Sequence, residues 1–138
     1  MDTRLTTAEI NENQQLLQEY APAQEALAVL QENDGRLDAS FDQLWEEEYG
    51  RQDYASGESL WEVTLRVLRQ EICGDEGFRS KIYDYNKNPG SASLLTGAIV
   101  YLVSLTTLPI NPAIATIIVL YVVKIGLNIF CEYTEPVD

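Results

Sequence analysis

The architecture of this chain depends on residues 106–115, which read TTLPINPAIA and lie in the middle of its least polar segment. The surrounding run, residues 88–123, contains no Asp, Glu, Lys or Arg. Pro109 and Pro112, with Asn111 between them, interrupt this run near its centre. The stretch is therefore a kink in one long helix, a turn between two helices, or part of a buried core.

The length of the apolar run favours two helices. Residues 91–130, taken as one straight helix, would be about 60 Å long. The hydrocarbon core of a bilayer is only about 30 Å thick and needs roughly 20 residues. Proline breaks the interior of a helix but suits its first turn. We therefore predict a transmembrane helical hairpin with helices at 91–108 and 112–130 and a turn at 109–111.

Charge is segregated along the chain. Residues 1–88 hold eight of the nine basic and 19 of the 22 acidic residues, whereas residues 91–131 hold only Lys124. We expect an acidic cytoplasmic domain at 1–88, the apolar hairpin at 91–131 and a short acidic tail at 132–138. The polar N-terminal residues show no apolar signal segment, which supports the cytoplasmic assignment.

Helix signals run through the first part of the chain, and strand signals do not. Thr7 is expected to cap the first helix, and Pro22 suits the first turn of the second. Ser59 and Glu62 form a capping-box pattern that opens the first of two further helices within 59–86. The expected helix-ending residues are Gly35, Gly50 and Gly74. The predicted fold is all-α, a bundle of about five short helices followed by the hairpin.

One segment resembles a known domain family. Residues 23–45 read AQEALAVLQENDGRLDASFDQLW, with Gly35 in a short turn between two amphipathic stretches. Together with residues 6–20, this pattern is similar to UBA-like three-helix bundles over residues 6–48. Ubiquitin-binding members carry a Met-Gly-aromatic loop after the first helix, where this chain reads EYAPA at 19–23. The resemblance implies a small bundle that binds a helix or domain of another protein.

Several function classes lack their usual residues. The chain has no histidine, which removes the commonest metal ligand and the usual partner of Ser and Cys nucleophiles. A calcium-loop-like stretch at 30–41 begins with Leu30 and ends with Phe41, where carboxylates are required. A net charge of −13 disfavours nucleic acid. We expect no enzyme, metal or cofactor, and we expect Cys73 and Cys131 to be free thiols.

The flanks of the hairpin predict its orientation. Arg79, Lys81 and Lys87 precede the first apolar helix and form a basic neck that would meet anionic lipid headgroups. The positive-inside rule then places both termini on the cytoplasmic side of the cell (inner) membrane. Two alternatives remain: a hairpin sheathed by other helices, similar in outline to pore-forming colicins, and a hairpin buried in a soluble oligomer.

Small and polar residues recur at helical spacing along both apolar helices. They are explained either by close packing of the two helices or by a pore in an oligomer, where Lys124 would favour anions. The predicted polar face comprises Ser93, Gly97, Tyr101, Ser104 and Thr107 in the first helix, and Tyr121, Lys124 and Asn128 in the second.

This layout resembles the small membrane effectors of bacterial defence systems, in which a helical adaptor domain precedes a transmembrane hairpin. The resemblance implies an oligomeric effector that permeabilises or depolarises the membrane when its acidic helical domain binds a protein partner. A passive membrane anchor and a subunit of a soluble helical assembly are the alternatives. Trp45 and Trp61 are either core residues or part of the partner-binding surface.

Overall fold

A computed structural model describes residues 4–50 and 59–133 of the chain. Across these two ranges the chain is all-α, which confirms the predicted class, and it forms a helical bundle without strands. The helices are α1 Thr7–Leu16, α2 Ala21–Glu32, α3 Leu37–Tyr49, α4 Leu60–Ile72, α5 Glu76–Lys87, α6 Ala92–Leu105, α7 Pro112–Ile125 and α8 Leu127–Tyr133.

Side-chain caps open α1 and α4. Thr6, rather than Thr7, caps α1, and it forms a reciprocal capping box in which Glu9 accepts from the Thr6 amide at 2.9 Å. Ser59 accepts from the amide of Glu62 at 3.1 Å, which is the first of the two hydrogen bonds of the capping box predicted for α4. Each cap satisfies an amide that the helix itself leaves without an acceptor.

Gly35 fixes the turn between α2 and α3. Its φ is +83°, a backbone conformation that residues with a Cβ rarely adopt. A Cβ at this position would lie 2.0 Å from the carbonyl oxygen of Leu5. The Leu5 amide donates to the carbonyl of Gly35 at 2.8 Å. Glycine therefore lets the segment before α1 contact the α2–α3 turn directly.

Helix α7 forms the centre of the molecule. Ten consecutive residues, Ala113 to Val122, are buried. The helix packs against α2, α3, α6 and α8. By contrast, α6 buries only one face, and Val100 on its other side is 51% exposed. The uncharged run is therefore one core helix and one helix at the surface of the bundle.

The predicted transmembrane hairpin and its location in the cell (inner) membrane are wrong. Helices α6 and α7 have 14 residues each, which makes them about 21 Å long. In the described ranges, none of the helices combines the length and the apolar character needed to cross a bilayer. The absence of charge from residues 113–122 of α7 has another cause, namely that α2, α3, α6 and α8 cover this stretch with protein. Helix α6 does not need to be covered by other helices on all sides, because only one of its faces is buried in the core.

The predicted helix boundaries also change. The break at the two prolines is present, because Asn111 caps α7 and Pro112 occupies its first turn. However, α6 ends at Leu105, so the connection spans 106–111 rather than 109–111. The second predicted helix, 112–130, is divided by Gly126, whose φ is +91°.

The two cysteines form a disulfide, so the prediction of free thiols is wrong. Cys73 caps the C-terminal end of α4, and Cys131 lies in α8. Their Cα atoms are 5.8 Å apart although 58 residues separate them in sequence. Packing of α8 near the end of α4 brings the thiols together, and the separation in sequence gives no sign of this contact.

Candidate functional site

The second half of the predicted polar face does not form a single surface. Tyr121 is fully buried, and its ring contacts Trp61 at 5.1 Å and Phe130 at 6.2 Å between ring centroids. Lys124 extends toward α1, and Asn128 is exposed in α8 beyond the Gly126 break. The structure therefore divides these residues among the core, a cleft and the surface.

In the first half, the polar residues hold α6 to its neighbours or to itself. Tyr101 donates to Asp75, the cap of α5, at 2.7 Å. Thr107 donates its amide and hydroxyl to Glu71 in α4 at 2.8 and 2.7 Å. Two further hydroxyls bond locally: Ser104 donates to carbonyls of its own helix, and Ser93 lies 3.4 Å from Ser91.

Gly97 does not provide a close helix–helix approach. A Cβ built at this position meets no atom within 4 Å. The explanation of Gly97 by tight packing of the two apolar helices is therefore unsupported. A close approach between α5 and α6 occurs instead at Gly77, where a Cβ would lie 2.2 Å from the hydroxyl oxygen of Tyr101.

The predicted basic neck has contacts within the protein. Arg79 donates to the carbonyl of Cys73 at 2.6 Å, and its guanidinium lies 3.9 Å from the Cys131 sulfur. Lys81 lies over the ring of Tyr101 at 5.3 Å. Lys87 lies over the ring of Tyr83 at 4.6 Å. These contacts place Arg79 beside the disulfide and the two lysines on aromatic rings.

Trp45 and Trp61 belong to an aromatic cluster in the core. Phe41 contacts both of them, with ring centroids 5.9 and 5.4 Å away. Trp45 is 9% exposed and Trp61 is 6% exposed. Both rings are therefore core residues, and their role in partner binding stays a prediction. The Trp45 ring also contacts the ring of Tyr49, with 4.7 Å between centroids.

A cleft lies between α1, the α5–α6 connection and α7. Its volume is about 740 Å³. Lys124 lines the cleft and pairs with Glu9, with 2.7 Å between Nζ and Oε1. Leucine and valine side chains from three elements form its apolar walls, namely Leu16, Leu95, Leu120 and Val123. The cleft therefore combines a partly buried ion pair with an apolar surface.

The Lys124–Glu9 pair is electrostatically favourable. The Lys124 side chain is 20% exposed and that of Glu9 is 35% exposed. Partial burial raises the pKa of the Glu9 carboxyl, but hydrogen bonds from Lys124 and Thr6 outweigh it and hold this pKa below its ordinary value. Lys124, the one charged residue in 91–131, thus pairs with Glu9 of the α1 capping box.

An acidic face follows α3 along its length. Asp38, Asp42 and Glu46 recur at intervals of four residues, so they lie on one side of the helix. Burial, and then the charges of Asp38 and Glu46, raise the pKa of the Asp42 carboxyl. Tyr49, at the end of the same side, is 41% exposed. Like charges therefore accumulate beside an accessible aromatic ring.

Two polar atoms on this face are buried without a hydrogen-bond partner among the described residues. They are Oδ1 of Asp42 and Nε1 of Trp45. Buried polar groups usually have a hydrogen-bond partner, and a buried group left without one destabilises the protein by about 1–3 kcal/mol. We call the side of α3 formed by Asp38, Asp42, Trp45, Glu46 and Tyr49 the α3 acidic face.

Helices α1 to α3 carry nearly all of the net charge of the described chain. Residues 4–50 contain eleven acidic and two basic residues, a net charge of −9. Residues 59–133 contain six of each and are neutral.

Within the described ranges, no group of three or more His, Cys, Asp or Glu side chains is placed to hold a metal ion. Comparison with protein families, curated proteins and solved structures finds no match.

Sequence reasoning missed the residues that anchor the apolar helices. Glu9, Glu71 and Asp75 receive hydrogen bonds from Lys124, Thr107 and Tyr101 respectively. A signal existed only for Glu9, since Thr6 followed by Glu9 fits the capping-box spacing. The other two contacts join residues separated by 26 and 36 positions.

Proposed function

We propose that the protein is a non-enzymatic adaptor whose α3 acidic face binds a basic segment of a protein partner. The observation that carries this proposal is the buried, unpartnered Oδ1 of Asp42 between two like charges. Natural proteins break local rules mainly at functional sites, where a partner or ligand compensates the cost. An arginine or lysine next to Asp42 would relieve the repulsion that the free protein carries.

The distribution of charge supports the same partner. The net charge of −9 on residues 4–50 produces a negative potential that accelerates encounter with a cationic partner. The exposed ring of Tyr49 suits a guanidinium, which stacks on aromatic faces as well as pairing with carboxylates. Arginine is therefore the residue that fits both components of the α3 acidic face.

The same segment of the chain contains few basic residues that could neutralise these carboxylates. In the segment 4–50, the basic residues are Arg4 and Arg36. Arg36 lies 3.4 Å from Asp38 in an exposed pair, and such pairs are worth only about 0–1 kcal/mol. Asp42 and Glu46 have no ion pair with a described residue, so neither charge is neutralised within the described ranges.

The test uses a short fluorescent peptide in which arginine alternates with alanine, titrated with the full chain at low salt. We expect saturable anisotropy that the triple variant Asp38→Asn/Asp42→Asn/Glu46→Gln weakens at least about tenfold. The matched control is Glu19→Gln/Glu25→Gln/Glu132→Gln, which removes the same charge from exposed positions elsewhere. Equal weakening by the control, or no binding by the wild type, would overturn the proposal.

A further inference from the structure

The cleft between α1, the α5–α6 connection and α7 has the dimensions of a small-molecule site. Its volume of about 740 Å³ lies within the roughly 300–1,000 Å³ of ligand pockets. Apolar walls and a few convergent polar groups are the usual composition of such pockets. Leu95 and Leu120 line the cleft but are almost fully buried, so Leu16 and Val123 supply its accessible apolar surface. Glu9, Glu12 and Lys124 supply the charges.

Hydrogen-bond acceptors exceed donors at this cleft. Glu9 Oε1 accepts hydrogen bonds from both the Lys124 ammonium and the Thr6 amide. Glu12 is exposed, and no hydrogen bond to its carboxylate is formed by the described residues. Asn13, which also lines the cleft, donates from its side-chain nitrogen to the Glu9 carbonyl at 2.8 Å, so its side-chain oxygen is the atom left to accept.

The charges give the cleft a negative balance. Two carboxylates, Glu9 and Glu12, face one ammonium, Lys124, whose charge the Glu9 pair already offsets. Tyr85 lines the same cleft and is 8% exposed. Burial raises the pKa of its phenol; the Gly90 backbone opposes this effect, and the nearby charge of Glu12 adds to it. The phenol therefore stays neutral and adds an aromatic surface beside the carboxylates.

We infer that this cleft binds a small organic ammonium ion that has an apolar body. The ammonium group donates to the carboxylates of Glu9 and Glu12, and its hydrocarbon contacts Leu16 and Val123. An anionic amphiphile is disfavoured, because Lys124 already pairs with Glu9 and two carboxylates would repel the incoming charge. This assignment concerns a different surface from the α3 acidic face and does not depend on it.

The experiment compares two probes of the same chain length, n-octylammonium and octanoate, by amide chemical-shift mapping of the full chain. We expect saturable shifts with octylammonium in α1, around Tyr85 and in the last turns of α7. Octanoate at the same concentration should produce none there. A stronger response to octanoate, shifts centred elsewhere, or no saturable shift would overturn the assignment.

Two variants separate a specific site from attraction to an acidic protein. Glu12→Gln, at an exposed position that leaves the fold intact, should weaken octylammonium binding about two- to fivefold. Val123→Phe, which fills part of the cleft, should abolish it. The matched control Glu25→Gln removes the same charge from exposed α2 and should leave binding unchanged. An equal loss in Glu25→Gln and Glu12→Gln would show that only net charge attracts the probe.

Discussion

Glu71 in α4 accepts hydrogen bonds from both the amide and the hydroxyl of Thr107, at 2.8 and 2.7 Å. The hydroxyl of Thr106 also donates to the same carboxylate. One side chain thus fixes the connection between α6 and α7, 36 residues away in sequence. This connection sets where the buried helix α7 begins, so Glu71 links the amphipathic helices to the core helix.

The first prediction concerns the strength of this anchor. Glu71→Gln keeps the shape of the side chain but removes the charge that strengthens three hydrogen bonds. Because the site is only partly buried, we expect a loss of about 1–2 kcal/mol in the free energy of unfolding. Urea denaturation measures it, with Glu25→Gln as the exposed control. Equal stability of the two variants would show that the anchor contributes nothing.

The second prediction is the pH dependence of the same contact. Burial opposes ionisation of Glu71, but the hydrogen bonds from Thr106 and Thr107 outweigh it and hold the pKa of this carboxyl below its ordinary value. A lowered folded-state pKa stabilises the protein above the unfolded value of about 4.3. The stability difference between wild type and Glu71→Gln should therefore shrink as pH falls below about 4. A difference that grows toward acid pH would contradict this sign.

The third prediction uses the one glycine in α5. Gly77→Ala would place a Cβ 2.2 Å from the Tyr101 hydroxyl and displace its hydrogen bond to Asp75. We expect a loss of about 1–3 kcal/mol in the free energy of unfolding. Thermal and urea unfolding measure this loss.

Two comparisons make the effect of Gly77→Ala specific. Gly74→Ala should be nearly neutral, because an added Cβ there meets no atom within 4 Å. In a Tyr101→Leu background, Gly77→Ala should cost less than in the wild type, because the clashing ring is gone. Additive losses in the double variant would refute the steric explanation.

Local signals in the sequence predicted much of the secondary structure. Asn111 and Pro112 define the start of α7 through rules that act within one helical turn. Gly126 was a comparable signal, but the apolar residues on both sides concealed the break between α7 and α8. Helix ends of this kind can be predicted from the sequence, because the residues that determine them lie within a few positions of the end.

Local signals could not predict what surrounds the apolar helices in the folded protein. A helix that is apolar all round is buried either in lipid or in protein, and its composition is the same in both. The length of α7 decides between them, and that length depends on Gly126 and on the connection at 106–111. The candidate sites depend on contacts such as Lys124 to Glu9, which join residues 115 positions apart.

The fourth prediction concerns the disulfide between Cys73 and Cys131. A cross-link over 58 residues restricts the unfolded chain and contributes roughly 2–4 kcal/mol. Reduction should therefore lower the thermal midpoint of the wild type. The double variant Cys73→Ser/Cys131→Ser should start at the lower midpoint and should not respond to the reductant. Alkylation under denaturing conditions without reductant should modify neither cysteine, and modification of both would disprove the pairing.

The last prediction is that Asp42→Asn stabilises the free protein. Asp42 follows Asp38 and precedes Glu46 by one helical turn, and like charges at this spacing destabilise a helix by about 0.2–0.5 kcal/mol per pair. Removing the charge at Asp42 should thus raise the free energy of unfolding at neutral pH by about 0.5–1 kcal/mol. Glu25→Gln, which has no acidic residue one turn away on either side, is the matched control.

The pH dependence of this gain distinguishes charge repulsion from a change in packing. Because burial and the neighbouring carboxylates raise the pKa of Asp42, its folded form holds a proton more tightly than the unfolded chain does. Stability is therefore complete below the unfolded value of about 3.9 and is lost as pH rises through the folded-state pKa. The advantage of Asp42→Asn should disappear in acid, and a gain of the same size at all pH values would contradict repulsion. A variant that is more stable but no longer binds the arginine peptide would show that the α3 acidic face trades stability for binding.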